Sequence, residues 1–248
     1  MSVDAIKRLE EIRHRLDDSG RVKVAELADE FDVSEMTIRR DLDMLSEQGV
    51  VQRVRGGALA LGPQPFAERY GRAALAKDKI ATKLLGLVAE GGAIGIDAST
   101  TLQRLAARLG GVPNLTVVTN GQDCFTVLHG HPGVTALLTG GQLDRRTGSL
   151  VGPLAVRASR DLLLRRVFLS AAAIDASVGT SEATLEEGEV KHAMAEVASE
   201  VIVAVDSGKL DQRAPARCLP LEQVDILVTE LDPSDDRLTP YKEFCEVR

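Results

Sequence analysis

Ile6, Leu9, Ile12 and Leu16 recur at helical spacing and predict a helix that Ser19-Gly20 stops. Residues 21–24 alternate like a short strand, and 25–31 predict a second helix with Leu27, Ala28 and Phe31 turned inward. After Asp32-Val33, Ser34 stands as the N-cap of a third helix that runs to Gly49. Apolar and polar residues alternate over 50–55, enter the Gly56-Gly57 turn and return over 58–60. Three helices closed by a basic hairpin form a winged helix-turn-helix pattern.

Leu61-Gly62-Pro63-Gln64-Pro65 then opposes both helix and ladder pairing, so it marks a boundary. This gives a winged helix domain over 1–61, a linker over 62–75 and a second domain over 76–248. In the second domain Ile80, Leu84, Leu87 and Val88 lie on a helix, and 93–97 form a strand. Further strands are expected at 115–119, 134–138, 167–173, 201–205 and 226–228, with helices over 101–109, 154–164 and 187–200. Alternating βα units with runs such as VIVAV predict an α/β domain whose mostly parallel sheet is covered on both faces.

Composition narrows the function. The 248 residues are 44% hydrophobic and 27% charged, enough for a buried core, and the net charge of −7 excludes a simple polycationic nucleic-acid binder. Aromatic residues are only 3%, with no Trp, which argues against gripping single strands or RNA by base stacking. Cys124, Cys218 and Cys245 are odd in number and form no CxxC pair, so neither a zinc pattern nor a disulfide framework is expected. The N-terminal residues carry no signal-peptide apolar region. The longest uncharged run, from Cys124 to Leu143, holds His129, His131, Pro132 and four glycines and predicts a helix–turn–strand passage, not a membrane span. A cytoplasmic protein is expected, with no cofactor and no metal; His129 and His131 mark an exposed turn.

With Ile38 at the centre of the third helix's buried face, Leu42 and Leu45 fall within about 40° of it. Met36, Arg40, Asp43 and Glu47 point away, with Thr37 and Arg39 on the flanks near the N-terminal end. That end of a recognition helix meets base edges and phosphates. Arginine pairs bidentately with guanine, and a hydroxyl or a helix N-terminal amide holds a phosphate. Arg53 and Arg55 are expected to project from the wing. Against this, residues 1–61 hold 10 basic and 13 acidic groups, net −3, so Arg39-Arg40 also fits a solvated face balanced by Asp41 and Asp43.

In an open parallel sheet, ligands sit beyond the carboxyl ends of the strands. Those ends are polar here: Asp97 with Ser99-Thr100-Thr101, Thr119-Asn120, Gly140-Gly141, Asp175, and Asp206 with Lys209. Hydroxyls at a helix start with a nearby lysine suit a phosphate, while acids and Asn120 suit sugar hydroxyls. Each loop taken singly also fits a cap or a turn. Ser207-Gly208-Lys209 lacks the upstream glycine of a Walker A loop.

The string Val33-Ser34-Glu35-Met36-Thr37-Ile38-Arg39-Arg40-Asp41-Leu42, followed by Gly49, Arg53 and Arg55-Gly56-Gly57-Ala58, resembles the N-terminal signature of the DeoR family of bacterial sugar-catabolism regulators. The resemblance implies operator DNA contacts by Ser34, Thr37, Arg39, Arg40, Arg53, Arg55, Gly56 and Gly57. It implies a sensor domain similar in fold to ribose-5-phosphate isomerase. There Asp97, Ser99, Thr100, Thr101, Thr119, Asn120, Gly140, Gly141, Asp206 and Lys209 would surround a phosphorylated sugar effector, with Glu189 and Lys191 on a helix near the pocket. Val54, Ser99, Gly208 and the alanines 171–173 depart from the family's usual residues. A homodimer or homotetramer is implied by the resemblance and by the two-fold symmetry of operators. The expected function is a carbohydrate-operon repressor with no catalytic residues. Two rivals are a sugar-phosphate isomerase-like enzyme with an interaction module, and an interaction module with no DNA role.

Overall fold

The computed structural model describes residues 3–47, 50–60, 65–88 and 91–248. The expected helix stop at Gly49 and the Gly62-Pro63-Gln64 part of the linker lie outside the described residues. The chain forms two compact units, Met1–Arg69 with Arg145–Thr147, and Tyr70–Asp144 with Gly148–Arg248.

The N-terminal unit contains α1 (Val3–Ser19), β1 (Arg21–Lys23), α2 (Val24–Phe31), α3 (Glu35–Glu47), β2 (Val51–Val54) and β3 (Gly57–Ala60). Its strands pair antiparallel in the order β1-β3-β2. Ile12 and Leu16 of α1, Leu27 and Ala28 of α2, and Ile38, Leu42 and Leu45 of α3 close one core with Val51 and Ala58. Two of the expected inward residues differ: Ile6 is 47% exposed, and Phe31 only half-buried at the rim of the core. Ile6 lies one turn before Leu9, the first core position of α1.

Gly56 turns the hairpin at φ +80°. Gly57 is needed for a different reason, because a Cβ there would stand 2.0 Å from the Val22 carbonyl oxygen where β3 meets β1. Gly57→Ala is therefore expected to part β1 from β3 and destabilise this unit by about 1–3 kcal/mol, the cost of overpacking. Thermal unfolding followed by circular dichroism checks this, and an unchanged transition would contradict it.

Next come α4 (Phe66–Gly71), which makes part of the expected linker helical, then α5 (Ala74–Leu85), β4 (Gly92–Ile96), α6 (Thr100–Ala106), β5 (Leu115–Thr119), α7 (Gln122–His129), β6 (Val134–Leu138), β7 (Gln142–Asp144) and β8 (Ser149–Val151). They are followed by α8 (Pro153–Arg160), β9 (Arg166–Leu169), β10 (Ala173–Asp175), β11 (Gly179–Glu182), α9 (Leu185–Glu196), β12 (Val201–Ala204), β13 (Ala216–Arg217), β14 (Ile226–Val228) and β15 (Glu246–Val247). Seven strands form one sheet in the order β15-β14-β12-β9-β4-β5-β6, and every pairing in it is parallel. The alternation of each strand feeds two cores. Val167 and Leu169 of β9 and Val201 and Val203 of β12 pack on one face with Val190 and Met194 of α9. Phe168, Ile202 and Ala204 pack on the other with Ile80, Leu102, Leu105 and Leu128. Each fully buried large side chain contributes about 1.5–3 kcal/mol, so the two-faced pattern is what holds the parallel sheet.

The expected strand over 167–173 is two strands in two sheets. The chain leaves the ladder after Leu169, where the Ser170 amide donates to Asp97 Oδ2 at 2.7 Å and the Ala172 amide to the Ser181 carbonyl at 3.1 Å. β10 then joins β11 and β13 in a small antiparallel sheet that periodicity did not predict.

Candidate functional site

In the N-terminal unit, Ser34 caps α3: its Oγ accepts the Thr37 amide at 3.2 Å, and the two hydroxyls lie 2.9 Å apart. Beyond the cap, α3 shows Met36, Arg40, Asp43 and Glu47 to solvent. Arg39 is exposed but tied to Glu35 at 2.9 Å, one turn back. Arg40, and Arg55 beside the hairpin turn, are exposed and have no ion pair or hydrogen bond among the described residues. Arg53 differs from the expected outward wing cation. Its guanidinium donates to Asp43 Oδ1 and to the Gly57 carbonyl, both at 2.8 Å, and so ties the hairpin to α3. Asp41 is no counter-charge for the arginines either. It is buried against Arg8 of α1 at 2.6 Å, an inter-helix bond within the core.

In the C-terminal unit, the strand order reverses between β4 and β9, the place where an open α/β sheet opens its ligand crevice. Asp97, at the end of β4, is fully buried. Its Oδ1 accepts the Ser99 amide at 2.9 Å, and its Oδ2 accepts the Ser170 amide at 2.7 Å and faces Lys191 Nζ at 3.0 Å. Lys191 also donates to the Ser170 carbonyl and to Glu182 Oε1, both at 2.7 Å. An ammonium has three donors, so Lys191 is fully engaged within the protein. Burial alone would lower its affinity for the proton, but Asp97 and Glu182 hold it above the ordinary lysine value. Burial pushes the Glu182 carboxyl up to about 7, against the pull of Lys191.

Lys209, from the turn after β12, donates to the Ala171 carbonyl at 2.6 Å and lies 3.3 Å from Ser170 Oγ. Two donors are used and one remains. Burial lowers its proton affinity, while Asp206 opposes that. The loops after β4, β5 and β6 are laced to one another and to β8: a Cβ on Gly121 would meet Ala98 Cα at 2.7 Å, the Thr139 amide donates to the Thr119 carbonyl at 3.0 Å, and the Leu150 amide of β8 to the Asn120 carbonyl at 2.7 Å. Asn120 Nδ2 donates to the Leu150 carbonyl at 3.2 Å, but its buried Oδ1 has no partner. An orphaned buried acceptor costs about 1–3 kcal/mol, and a ligand hydroxyl would satisfy it.

Other expected ligand residues have local duties. Ser99 Oγ caps α6 by accepting the Leu102 amide at 3.2 Å, and Thr100 and Thr101 are buried. Thr119 Oγ1 accepts the Gly121 amide at 3.0 Å. Gly140 and Gly141 hold positive φ values of +73° and +122°, and a Cβ on Gly141 would stand 2.7 Å from the Val151 carbonyl oxygen. Asp175 differs from the expected strand-end ligand. It sits on β10, off the parallel sheet, and its carboxylate is occupied by Arg213 at 2.9 Å and by the Ser177 hydroxyl at 2.7 Å. Those bonds hold it well below the usual carboxylate range. A separate groove of about 780 Å³ between α8 and α9 is lined by Glu189, expected near the pocket, but by none of the residues expected to surround the sugar.

Set beside known proteins, the family model of the DeoR-like helix-turn-helix domain matches residues 8–64, and that of the DeoR C terminal sensor domain matches residues 72–231. The chain belongs to the DeoR family. It is 31% identical to the HTH-type transcriptional regulator GolR of Listeria innocua over 90% of either chain. It is 30% identical to the lactose phosphotransferase system repressor of Lactococcus lactis over 97% of either chain. Among solved structures, eIF2B beta from Chaetomium thermophilum matches with a TM-score of 0.46 at 16% identity, covering 69% of this chain and 54% of that one. A D-ribose-5-phosphate isomerase in complex with phospho-erythronic acid matches with a TM-score of 0.41 at 15% identity, covering 54% and 53%.

Family membership makes this chain a DNA-binding transcriptional regulator, and the isomerase alternative is not favoured. No helix among the described residues is long and apolar enough to cross a membrane. Within the DeoR sensor unit, periodicity missed Ser170 and Glu182, and only the family resemblance pointed to Lys191. Nothing local announces them, because the partners of this cluster lie up to 94 positions apart in sequence, from Asp97 to Lys191.

Proposed function

We propose that this protein represses a carbohydrate operon and is released by a phosphorylated sugar. Residues 1–61 act as the DNA-binding domain, 62–75 as the linker and 76–248 as the sensor, in an oligomer working in the cytoplasm. The observation that carries the DNA reading is the pair of uncommitted cations, Arg40 on the outer face of α3 and Arg55 at the wing. Ser34 and Thr37 offer hydroxyls beside the helix start, and Arg39 is reachable once it leaves Glu35. Arg53, Gly56 and Gly57 serve by holding the wing in shape. Two charges placed where duplex DNA meets them outweigh a diffuse net charge of −7.

In the sensor, the spare donor of Lys209 suits a phosphate oxygen, and the free Oδ1 of Asn120 suits a sugar hydroxyl. Asp97 and Lys191 brace the crevice wall from behind, while Asp206 steadies Lys209. Ser99, Thr100, Thr101, Thr119, Gly140 and Gly141 shape the loops around it.

Arg40→Ala is expected to weaken operator binding by about 1–3 kcal/mol and to relax specificity at one position, as loss of a base contact would. Arg55→Ala is expected to weaken specific and random duplexes alike and to reduce the salt slope by about one, as loss of a phosphate contact would. Titration of labelled operator across salt concentrations checks both. Unchanged affinity for both variants would overturn the placement of the DNA-reading face.

A further inference from the structure

The seven-stranded sheet has two unlike edges. β15 is two residues long, and Glu246 within it is bonded to Arg248 at 2.6 Å, so that edge is short and charged. β6 is five residues long and pairs along its whole length with β5 on one side, while no strand among the described residues pairs with the other. It carries no charge, no proline and no bulge. Leu137 and Leu138 are 44% and 37% exposed, and Leu143 just beyond is 41% exposed. This is the exposed end of the uncharged run from Cys124 to Leu143, in a chain that is 27% charged as a whole. A bare, apolar, uncharged edge presents unpaired N–H and C=O groups to any passing strand, and folded proteins blunt such edges unless something covers them.

We propose that β6 is a homodimer interface, where two copies pair their β6 strands antiparallel across a two-fold axis at Ala136 and join two sheets into one. The sequence of the strand is self-complementary in that register. Leu137 faces the partner's Thr135, Leu138 faces the partner's Val134, and no like charges oppose. Cross-strand pairs of apolar and β-branched residues stabilise a ladder. Val134 and Ala136 already lean on the core, which fixes the strand's face before it meets its copy. A foreign partner would need a charge or a shaped pocket to be told apart, and β6 has neither. This inference rests on the oligomeric reading above, to which it adds the surface and the two-fold symmetry that an operator's half-sites require.

The test is the mass of the intact protein by sedimentation equilibrium, for the native chain and for a Thr135→Lys, Leu137→Lys double variant. In the proposed register the new lysines oppose each other twice, and self-association should weaken by about 100-fold or more. Leu163→Lys, at a residue 90% exposed elsewhere on the sensor, should leave the mass unchanged. Independently, Ala136→Cys should form a disulfide-linked dimer under mild oxidation, since antiparallel partners bring their Cα atoms to about 4.5–5.5 Å. Leu163→Cys should not. A dimer that survives the double variant, or that cross-links at 163 and not at 136, overturns the β6 assignment and leaves the oligomeric reading standing. A native protein that sediments at the mass of one chain overturns both.

Discussion

Lys191→Met is expected to destabilise the C-terminal unit by about 3–5 kcal/mol near pH 8.5, because it leaves two buried carboxylates without their shared cation. The substitution keeps an unbranched apolar stem in place, so packing loss is small. The side chains concerned are nearly sealed: Asp97 is 0%, Glu182 4% and Lys191 11% exposed. The loss should shrink as pH falls. In the native protein Glu182 holds its proton up to about 7, well above its ordinary 4.5, so its favourable contribution is complete below about 4.5 and is lost as pH rises through 7. Removing Lys191 takes away a charge that pulls this value down, so Glu182 in the variant stays neutral to higher pH still. Near pH 6 only the loss of the buried Asp97's cation partner remains, and the gap between variant and native should narrow. Calorimetry, or far-UV circular dichroism, at the two pH values checks this; the chain has no Trp to report by fluorescence. A gap independent of pH would remove Glu182 from the cluster's energetics.

Saturating sugar phosphate is expected to lower operator affinity by some 5–150-fold, the range of a typical coupling of about 1–3 kcal/mol. Linkage then requires operator DNA to weaken sugar-phosphate binding by the same factor. Lys209→Ala should keep native operator affinity in the absence of ligand, because its bonds lie with Ala171 and Ser170 in the sensor. It should lose the response at ligand concentrations that release the native protein, having lost its free donor and its charge. The corresponding unphosphorylated sugar should act on neither protein. The measurement is operator affinity for both proteins with and without ligand, paired with thermal shift to report binding itself. Native protein that is stabilised by sugar phosphate yet holds its operator unchanged would break the link between the domains. Lys209→Ala that responds like the native chain would move the phosphate site elsewhere.

Periodicity alone determined the N-terminal helices and hairpin, the main strands of the parallel sheet and their polar carboxyl ends, because each is written in residues a few positions apart. The string from Val33 to Leu42 with the glycine turn at 56–57 carried the family in the same local way. What the tertiary structure decided is how those residues spend their hydrogen bonds. Arg53 and Arg55 are two positions apart on one basic hairpin, yet Asp43 claims the first and nothing described claims the second. Lys191 and Lys209 both reach Ser170, but two acids and the Ser170 carbonyl take all three donors of Lys191, while Lys209 keeps one to offer. Asp97 and Asp175 look alike as strand-end acids. The first is sealed by the Ser170 amide just past the neighbouring parallel strand, while the second is carried off into an antiparallel sheet and held by Arg213. A sequence fixes which donors and acceptors exist and which face of an element they occupy. Only long-range pairing decides which are satisfied inside the fold and which are left for DNA, a sugar phosphate or a second chain.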